Sequence, residues 1–140
     1  MITSSPLEER GKTKKEGRQL LLDTLKIGGV AMKVSNYLDT EPNEEAPGVI
    51  KRNVIAAEDG APHFCMRVFE VKPGSSTPFH SHWWEHEVFI LSGQGLAVSE
   101  QGETPIGKDS VVFVAPDEQH CFVNNSNELL RFICVIPLAP

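Results

Sequence analysis

Three histidines in one short segment are the residues of this chain best suited to do chemistry. His80, His82 and His86 lie in the sequence GSSTPFHSHWWEHEVFILSG, which runs from residue 74 to residue 93. Side chains alternate between the two faces of an extended strand, so positions 80, 82 and 86 are predicted to share one face of a sheet. Neutral imidazoles grouped on one face are more typical of a transition-metal site than of solvated surface histidines. The segment therefore predicts a metal centre.

The spacing of these histidines resembles the first motif of the cupin family. That motif is a glycine, five residues, His-x-His, three or four residues, a glutamate, six residues and a glycine. Gly74 and Gly93 match it, and counting back six residues from Gly93 places His86 at the glutamate position. Glu87 fits the looser spacing and is a lower-ranked ligand candidate. Its parity places it on the opposite face from His82 and His86.

A second histidine segment, PDEQHCFVN, resembles the second cupin motif. His120 and Asn124 match it, whereas Ala115 and Asp117 replace a proline and a glycine, and Gly107 is displaced by two positions. His120 carries the metal-binding chemistry of the motif, and Asn124 is expected to close a turn.

Together the two segments resemble small single-domain cupins with four histidine ligands, the manganese-binding type of thermophilic bacteria. The resemblance implies one divalent ion per chain, manganese or iron ahead of copper, nickel or zinc. It implies that the ligands are His80, His82, His86 and His120.

Four neutral imidazoles bind a divalent ion without cancelling its charge, so the ion stays a strong Lewis acid. An octahedral ion with four protein ligands keeps two positions for water, dioxygen or substrate. The missing carboxylate should raise the redox potential, and it counts against oxalate decarboxylase chemistry. We therefore expect a metal-dependent oxidoreductase, dioxygenase-like, acting on a small organic substrate. Two alternatives stay open: a non-catalytic binding or sensing module, and a non-redox lyase or isomerase, for which no inward carboxylate is evident.

Strand parity and the cupin resemblance also predict the lining of the pocket. Parity places Phe122 beside His120, and the resemblance turns Cys134 and Arg67 inward, along with Phe132 and Ile136. Arg67 is then the one fixed charge of the pocket, and we expect it to anchor a carboxylate of the substrate.

The elements that must position these residues are short strands. From Gly48 on, runs of β-branched and aromatic residues alternate with turn signals, which indicates an all-β sandwich or barrel. By resemblance, residues 49–137 form a single cupin jelly-roll β-barrel, a double-stranded β-helix. We expect 31–48 to be a connecting strand or loop, with an acidic, proline-bearing loop at 39–48, and 101–109 to be a turn. Residues 1–30 form an N-terminal extension that is partly helical, over 13–27.

Composition limits the partners. The chain has 140 residues and a net charge of -6, with six basic and four acidic side chains in 1–30 but seven and fifteen in 31–140. An acidic main domain argues against nucleic acid and anionic membranes, and no apolar run is long enough to span a bilayer. Three cysteines beside apolar runs fit reduced thiols and a cytoplasmic location. The resemblance implies a homodimer.

Overall fold

A computed structural model of the protein describes residues 32–138, in two parts that divide after Thr40. The first part, 32–40, contains the 3-10 turn Tyr37–Asp39, which Asn36 caps by accepting a hydrogen bond from the backbone of Leu38 at 3.0 Å. The helix predicted over 13–27 lies outside the described residues. The predicted limits 1–30, 31–48 and 49–137 stay predictions.

The second part consists of antiparallel strands in two sheets, which confirms the all-β fold. The larger sheet has the order β1-β2-β3-β9-β4-β7 and the smaller sheet the order β6-β5-β8. The 3-10 turn Ala57–Asp59 joins β2 to β3. The strands are β1 Asn43–Ala46, β2 Val49–Ile55, β3 Phe64–Val71, β4 His86–Ser92, β5 Gln94–Ser99, β6 Gly102–Gly107, β7 Val111–Val114, β8 His120–Val123 and β9 Leu130–Pro137.

Alternating side chains of the larger sheet form the core. Along β9, Leu130, Phe132 and Cys134 are buried, whereas the residues between them are half-buried. Phe132 stacks on Phe69 of β3 with ring centroids 5.0 Å apart. It also contacts Phe122 of β8 at 4.9 Å, a ring of the smaller sheet. The aromatic cluster therefore joins the two sheets beneath the histidines.

Two strands were not predicted from the sequence. β1 lies in the segment expected to be an acidic loop, and β6 lies in the segment expected to be a turn. Both are edge strands, and their residues are mostly exposed, so neither has the apolar alternation that marks a half-buried strand. Pro105 is compatible with β6 because an edge strand can leave backbone positions without a ladder hydrogen bond.

The turns between strands explain two residues of the motifs that bind no metal. Gly93 joins β4 to β5 with a φ of +86°, and a Cβ there would collide with the backbone carbonyl of Leu129. Asn124, fully buried after β8, closes its turn as predicted. It donates to the carbonyl oxygens of Val71 and Glu128 at 2.8 and 2.7 Å. None of the helices described between residues 32 and 138 is long and apolar enough to cross a membrane.

Candidate metal centre

Three histidines converge in a way that could hold a metal ion. The ligand atoms of His80, His82 and His120 all lie within 4.8 Å of one another. The two Nε2 atoms of His80 and His82 are 3.0 Å apart. Two nitrogens bound at about 2.1 Å, with a right angle at the metal, would stand about 3.0 Å apart. The separation of this pair therefore fits adjacent positions around one ion.

Backbone hydrogen bonds bring these histidines together. His80 forms an isolated bridge with His120 of β8, in which each backbone N–H donates to the other's carbonyl, at 3.2 and 2.9 Å. The carbonyl of His82 accepts a 2.6 Å bond from the backbone N–H of Asp117. Asp117 has a φ of +66° at the place where the cupin motif has glycine. Aspartate tolerates this left-handed conformation better than most residues, so the substitution keeps the turn.

The prediction that one sheet face presents His80, His82 and His86 is wrong. Only His86 lies in a named strand, β4 of the larger sheet, whereas His80 pairs with the smaller sheet and His82 lies in the connecting loop. The imidazoles meet because the chain crosses from one sheet to the other between residues 82 and 86. Strand parity predicted their proximity but not the two sheets that supply them.

His86 lies beside the three-histidine group but is not one of the residues whose ligand atoms all lie within 4.8 Å of one another. Its ring centroid is 4.8 Å from that of His120 and 5.2 Å from that of His82. Its side chain is buried, and its Nε2 has no hydrogen-bond partner among the described residues. A buried ring nitrogen without a partner costs free energy, and a bound ion would satisfy it. The donor set therefore fits a metal ion, and His86 as its fourth ligand stays a proposal.

The environment favours neutral imidazoles. His120 Nδ1 lies 2.8 Å from the carbonyl oxygen of Glu118, which can only accept, so Nδ1 carries the proton and Nε2 is free to bind a metal. Burial lowers the pKa of His80 and of His82, and the neighbouring imidazoles lower both further. Burial, together with the charge of Arg67, lowers the pKa of His86 to about 3. These three rings are therefore neutral at physiological pH, as metal ligands must be.

The histidines open into a cavity of about 310 Å³ that aromatic side chains largely line. The cavity contains the predicted pocket residues Arg67, Phe122 and Cys134. Glu87 does not line it; this carboxylate is exposed, which argues against its role as a ligand. The complete lining is Glu45, Lys51, Arg67, Phe69, Thr77, Pro78, His80, His82, Trp84, His86, His120, Phe122, Phe132, Cys134 and Ile136.

The expectation that Arg67 is the one fixed charge of the pocket is wrong. Glu45 and Lys51 also line the cavity and form an ion pair at 2.9 Å. They come from the β1–β2 hairpin, whose first strand lies in the segment expected to be a loop, so sequence reasoning missed them. The charge of Glu45 also acts on the pKa of His80, in the upward direction, which places it near the cluster.

Arg67 lies against the back of the site. Its Nη2 is 2.9 Å from the sulfur of Cys134 and 3.2 Å from Nδ1 of His86, and its guanidinium lies 5.1 Å from the centre of the Phe69 ring. Neither of the two ion pairs found within residues 32–138 includes Arg67. A half-buried cation with this setting favours an anionic group in the cavity.

The two tryptophans of the first motif have different environments. Trp84 is half-buried and stacks on His82, with ring centroids 4.4 Å apart and planes 5° apart. Trp83 is 55% exposed. The stack restrains the His82 ring. Among residues 32–138, His82 has no hydrogen bond to a carbonyl oxygen like the one between His120 and Glu118.

Known proteins resemble this chain over half of its length or more. An oxalate-binding protein of Thermotoga maritima is 35% identical over 82 residues, which are 56% of this chain and 68% of the relative. A 1-methylthio-D-xylulose 5-phosphate methylsulfurylase of Rhodospirillum rubrum is 30% identical over 71 residues, 51% of this chain but only 46% of the relative. The solved structure of the polyketide cyclase RemF of Streptomyces resistomycificus superimposes with a TM-score of 0.72 at 33% identity, over 78% of this chain and 81% of that one.

The family assignment rests on the strands that build the pocket. The cupin domain family matches residues 67–136, from the arginine of β3 to the last inward residue of β9. The match contains all four histidines near the cavity and both motifs that flank them. With half of its length matched in this way, the chain belongs to the cupin family.

Proposed function

We propose that this protein is a metal-dependent enzyme that moves a proton on a small keto acid or related carbonyl compound. His80, His82, His86 and His120 hold one divalent ion in this proposal, with manganese or iron ranked first. The ion would supply Lewis acidity that polarises a carbonyl oxygen of the substrate. The reaction class is the non-redox lyase or isomerase kind, which includes ring closure through an enolate.

The observation that carries this proposal is the carboxylate of Glu45 in the same cavity as the imidazoles. Carbonyl chemistry of this kind needs a group that accepts a proton from the carbon next to the carbonyl. Glu45 is paired with Lys51 at 2.9 Å, and this ion pair holds the carboxylate at the cavity. In this role Glu45 takes the α-proton and returns it to a carbon or to water.

Arg67 orients the substrate in this proposal. Its guanidinium lies in the cavity, and neither described ion pair uses it. A carboxylate of the substrate would receive a charge-assisted hydrogen bond there, while its carbonyl end faces the histidines. Phe69, Phe122 and Phe132 exclude water from the carbon skeleton between the two ends.

The comparisons support a small oxygen-rich substrate. One relative carries the name of an oxalate-binding protein, and the solved structure with a TM-score of 0.72 is a polyketide cyclase. A polyketide is a chain of carbonyl groups that enolise before they condense, so both names fit a site that binds carbonyl and carboxylate oxygens. The 33% identity to the cyclase favours carbonyl chemistry over redox chemistry.

Exchange of substrate protons for deuterium tests the proposal directly. The protein, stripped and reloaded with Zn²⁺ or Mn²⁺, is incubated with pyruvate in D₂O, and the methyl signal is followed by NMR after chelation of the metal. We expect metal-dependent loss of the signal and at least a roughly tenfold slower loss in Glu45→Gln. Glu44→Gln, which changes the neighbouring carboxylate outside the cavity lining, is the matched control and should exchange like the wild type.

The ligand set is tested on the same preparation. His80→Ala and His120→Ala should lose stoichiometric metal, whereas His63→Ala should keep it, because His63 does not line the cavity. Full metal loading without deuterium exchange on pyruvate or on a longer β-keto acid would contradict the enzyme proposal. It would instead support the binding or sensing module.

The dioxygenase-like oxidoreductase is the second candidate, and the uncharged donor set of the histidine cluster favours it. Neutral imidazoles raise the redox potential of a bound ion relative to a site with a carboxylate ligand. An oxygen electrode separates the two candidates. Oxygen uptake by the Fe²⁺-loaded protein that requires substrate and stops in His120→Ala would favour the oxidoreductase.

Two further expectations from the sequence belong to this proposal. We propose that the protein acts as a homodimer, because the outer face of the larger sheet exposes Phe64, Val111 and Phe113. A light-scattering mass equal to that of a single chain, 15.4 kDa, would refute the dimer. We also propose a cytoplasmic location, which Cys65, Cys121 and Cys134 support as free, buried thiols.

A further inference from the structure

The two ring nitrogens of His86 have different neighbours. Its Nε2 is buried and has no hydrogen-bond partner among residues 32–138. Its Nδ1 lies 3.1 Å from the sulfur of Cys134 and 3.2 Å from Nη2 of Arg67. Nη2 and the sulfur are themselves 2.9 Å apart, so the three groups form a closed triangle behind the metal centre.

Only one tautomer of His86 can bind a metal through Nε2. A guanidinium donates and never accepts, so a bond from Arg67 to Nδ1 requires the proton of a neutral His86 to sit on Nε2. That tautomer offers the metal no lone pair. If Nδ1 instead carries the proton and donates a hydrogen bond to the sulfur of Cys134, the lone pair of Nε2 becomes available. Arg67 then donates to the sulfur as well.

We propose that Cys134 is the positioning residue that makes His86 a ligand, by accepting a hydrogen bond from the Nδ1–H group of His86. Arg67 favours the opposite tautomer in the metal-free protein, because its N–H group and an Nδ1–H group would face each other at 3.2 Å. Metal binding thus transfers the ring proton of His86 from Nε2 to Nδ1, through solvent, without a change in net charge. The proposal rests on the four-histidine site proposed above.

The environment of Cys134 suits an acceptor rather than a nucleophile. Its side chain is only 2% exposed, and burial raises the pKa of the thiol, although the charge of Arg67 opposes this. A neutral sulfur is a weak hydrogen-bond acceptor, but strand β9 fixes its position. Cys134 pairs with Val88 in the β4–β9 ladder, so it lies two register positions from His86. Supporting groups that orient a ligating imidazole change metal affinity by about 10–100-fold.

Metal affinity of four variants tests the role of Cys134. Zn²⁺ affinity is measured by competition with a chromophoric chelator for the wild type, Cys134→Val, Cys134→Ser and His86→Ala. Valine has nearly the size of cysteine and cannot accept, so we expect about 10–100-fold weaker binding. Serine keeps an acceptor and should stay within about threefold of the wild type. Cys121→Val, a buried cysteine outside the lining of this cavity, is the matched control and should bind normally.

The tautomer itself is visible without any substitution. Long-range ¹H–¹⁵N correlation spectra of the wild-type protein should place the His86 proton on Nε2 without metal and on Nδ1 with Zn²⁺. A proton on Nε2 in the Zn²⁺ complex would overturn the inference. So would Cys134→Val binding Zn²⁺ as tightly as the wild type while His86→Ala binds more weakly. Wild-type affinity in His86→Ala would instead overturn the four-histidine site, so the two failures are distinguishable.

Discussion

Replacing Asn124 by alanine should be one of the most damaging single changes in this protein. Asn124 is fully buried, and its side chain is hydrogen-bonded at both ends of the amide. Its Nδ2 donates to the carbonyls of Val71 and Glu128 at 2.8 and 2.7 Å. Its Oδ1 accepts from the backbone N–H and the hydroxyl of Ser126, at 3.0 and 2.7 Å. The side chain therefore ties the end of β8 to the end of β3 and to the turn before β9.

The cost follows from which partners can reach water. The Val71 carbonyl is buried, so its loss of a partner costs about 1–3 kcal/mol. The other bonds lie nearer the surface, and each contributes about 0.5–1.5 kcal/mol. We expect Asn124→Ala to lower the free energy of unfolding by about 3–5 kcal/mol, a large part of the roughly 5–15 kcal/mol of a typical domain.

Urea denaturation followed by tryptophan fluorescence measures this loss on the metal-free protein. Asn124→Asp is the companion variant with nearly the same shape. Because an ionised carboxylate cannot donate to the two carbonyls, this variant should be at least as unstable at neutral pH. Asn125→Ala changes the exposed neighbour and should stay within about 0.5 kcal/mol of the wild type. A loss of less than about 1 kcal/mol in Asn124→Ala would refute the assignment of Asn124 as the clamp of this turn.

Three further predictions follow from the site and its turns. Arg67→Gln should bind pyruvate about 10–100-fold more weakly at saturating Zn²⁺ by calorimetry, since it loses a charge-assisted hydrogen bond, whereas Arg131→Gln, further along the β3–β9 ladder and outside the cavity lining, should not. The metal-free protein should lose stability as the pH falls from about 6.5 to about 3, because only the unfolded chain protonates His86 there. The slope from this group reaches at most about 1.4 kcal/mol per pH unit, and His86→Gln should remove it from a series of urea titrations. Gly93→Ala should shift the urea midpoint down by more than its strained φ alone would cause, because of the clash with Leu129; an unchanged midpoint would contradict the turn geometry.

The sequence was sufficient for the parts of the site that depend on local pattern. Alternation along a strand predicts which side of β9 is buried, so parity and the cupin resemblance together placed Phe132 and Cys134 correctly in the pocket. The closeness of the His80 and His82 rings follows from two residues of extended chain and was equally predictable. Edge strands have no such signal, because both of their faces meet water. The sequence therefore did not predict β1, nor the position of Glu45, which lies on β1, at the cavity.

The chemistry of His86 depends on a relation that no local pattern contains. His86 and Cys134 are 48 positions apart, and their contact requires the β4–β9 register that pairs Val88 with Cys134. A slip of one residue would present Ile133 or Val135 to the imidazole instead, and neither side chain can accept a hydrogen bond. Parity places the right residue types on the inner face, but register decides which of them meet. In this cupin the spacing of the histidines is a property of the sequence, whereas the proton position proposed for His86 depends on the assembled sheet.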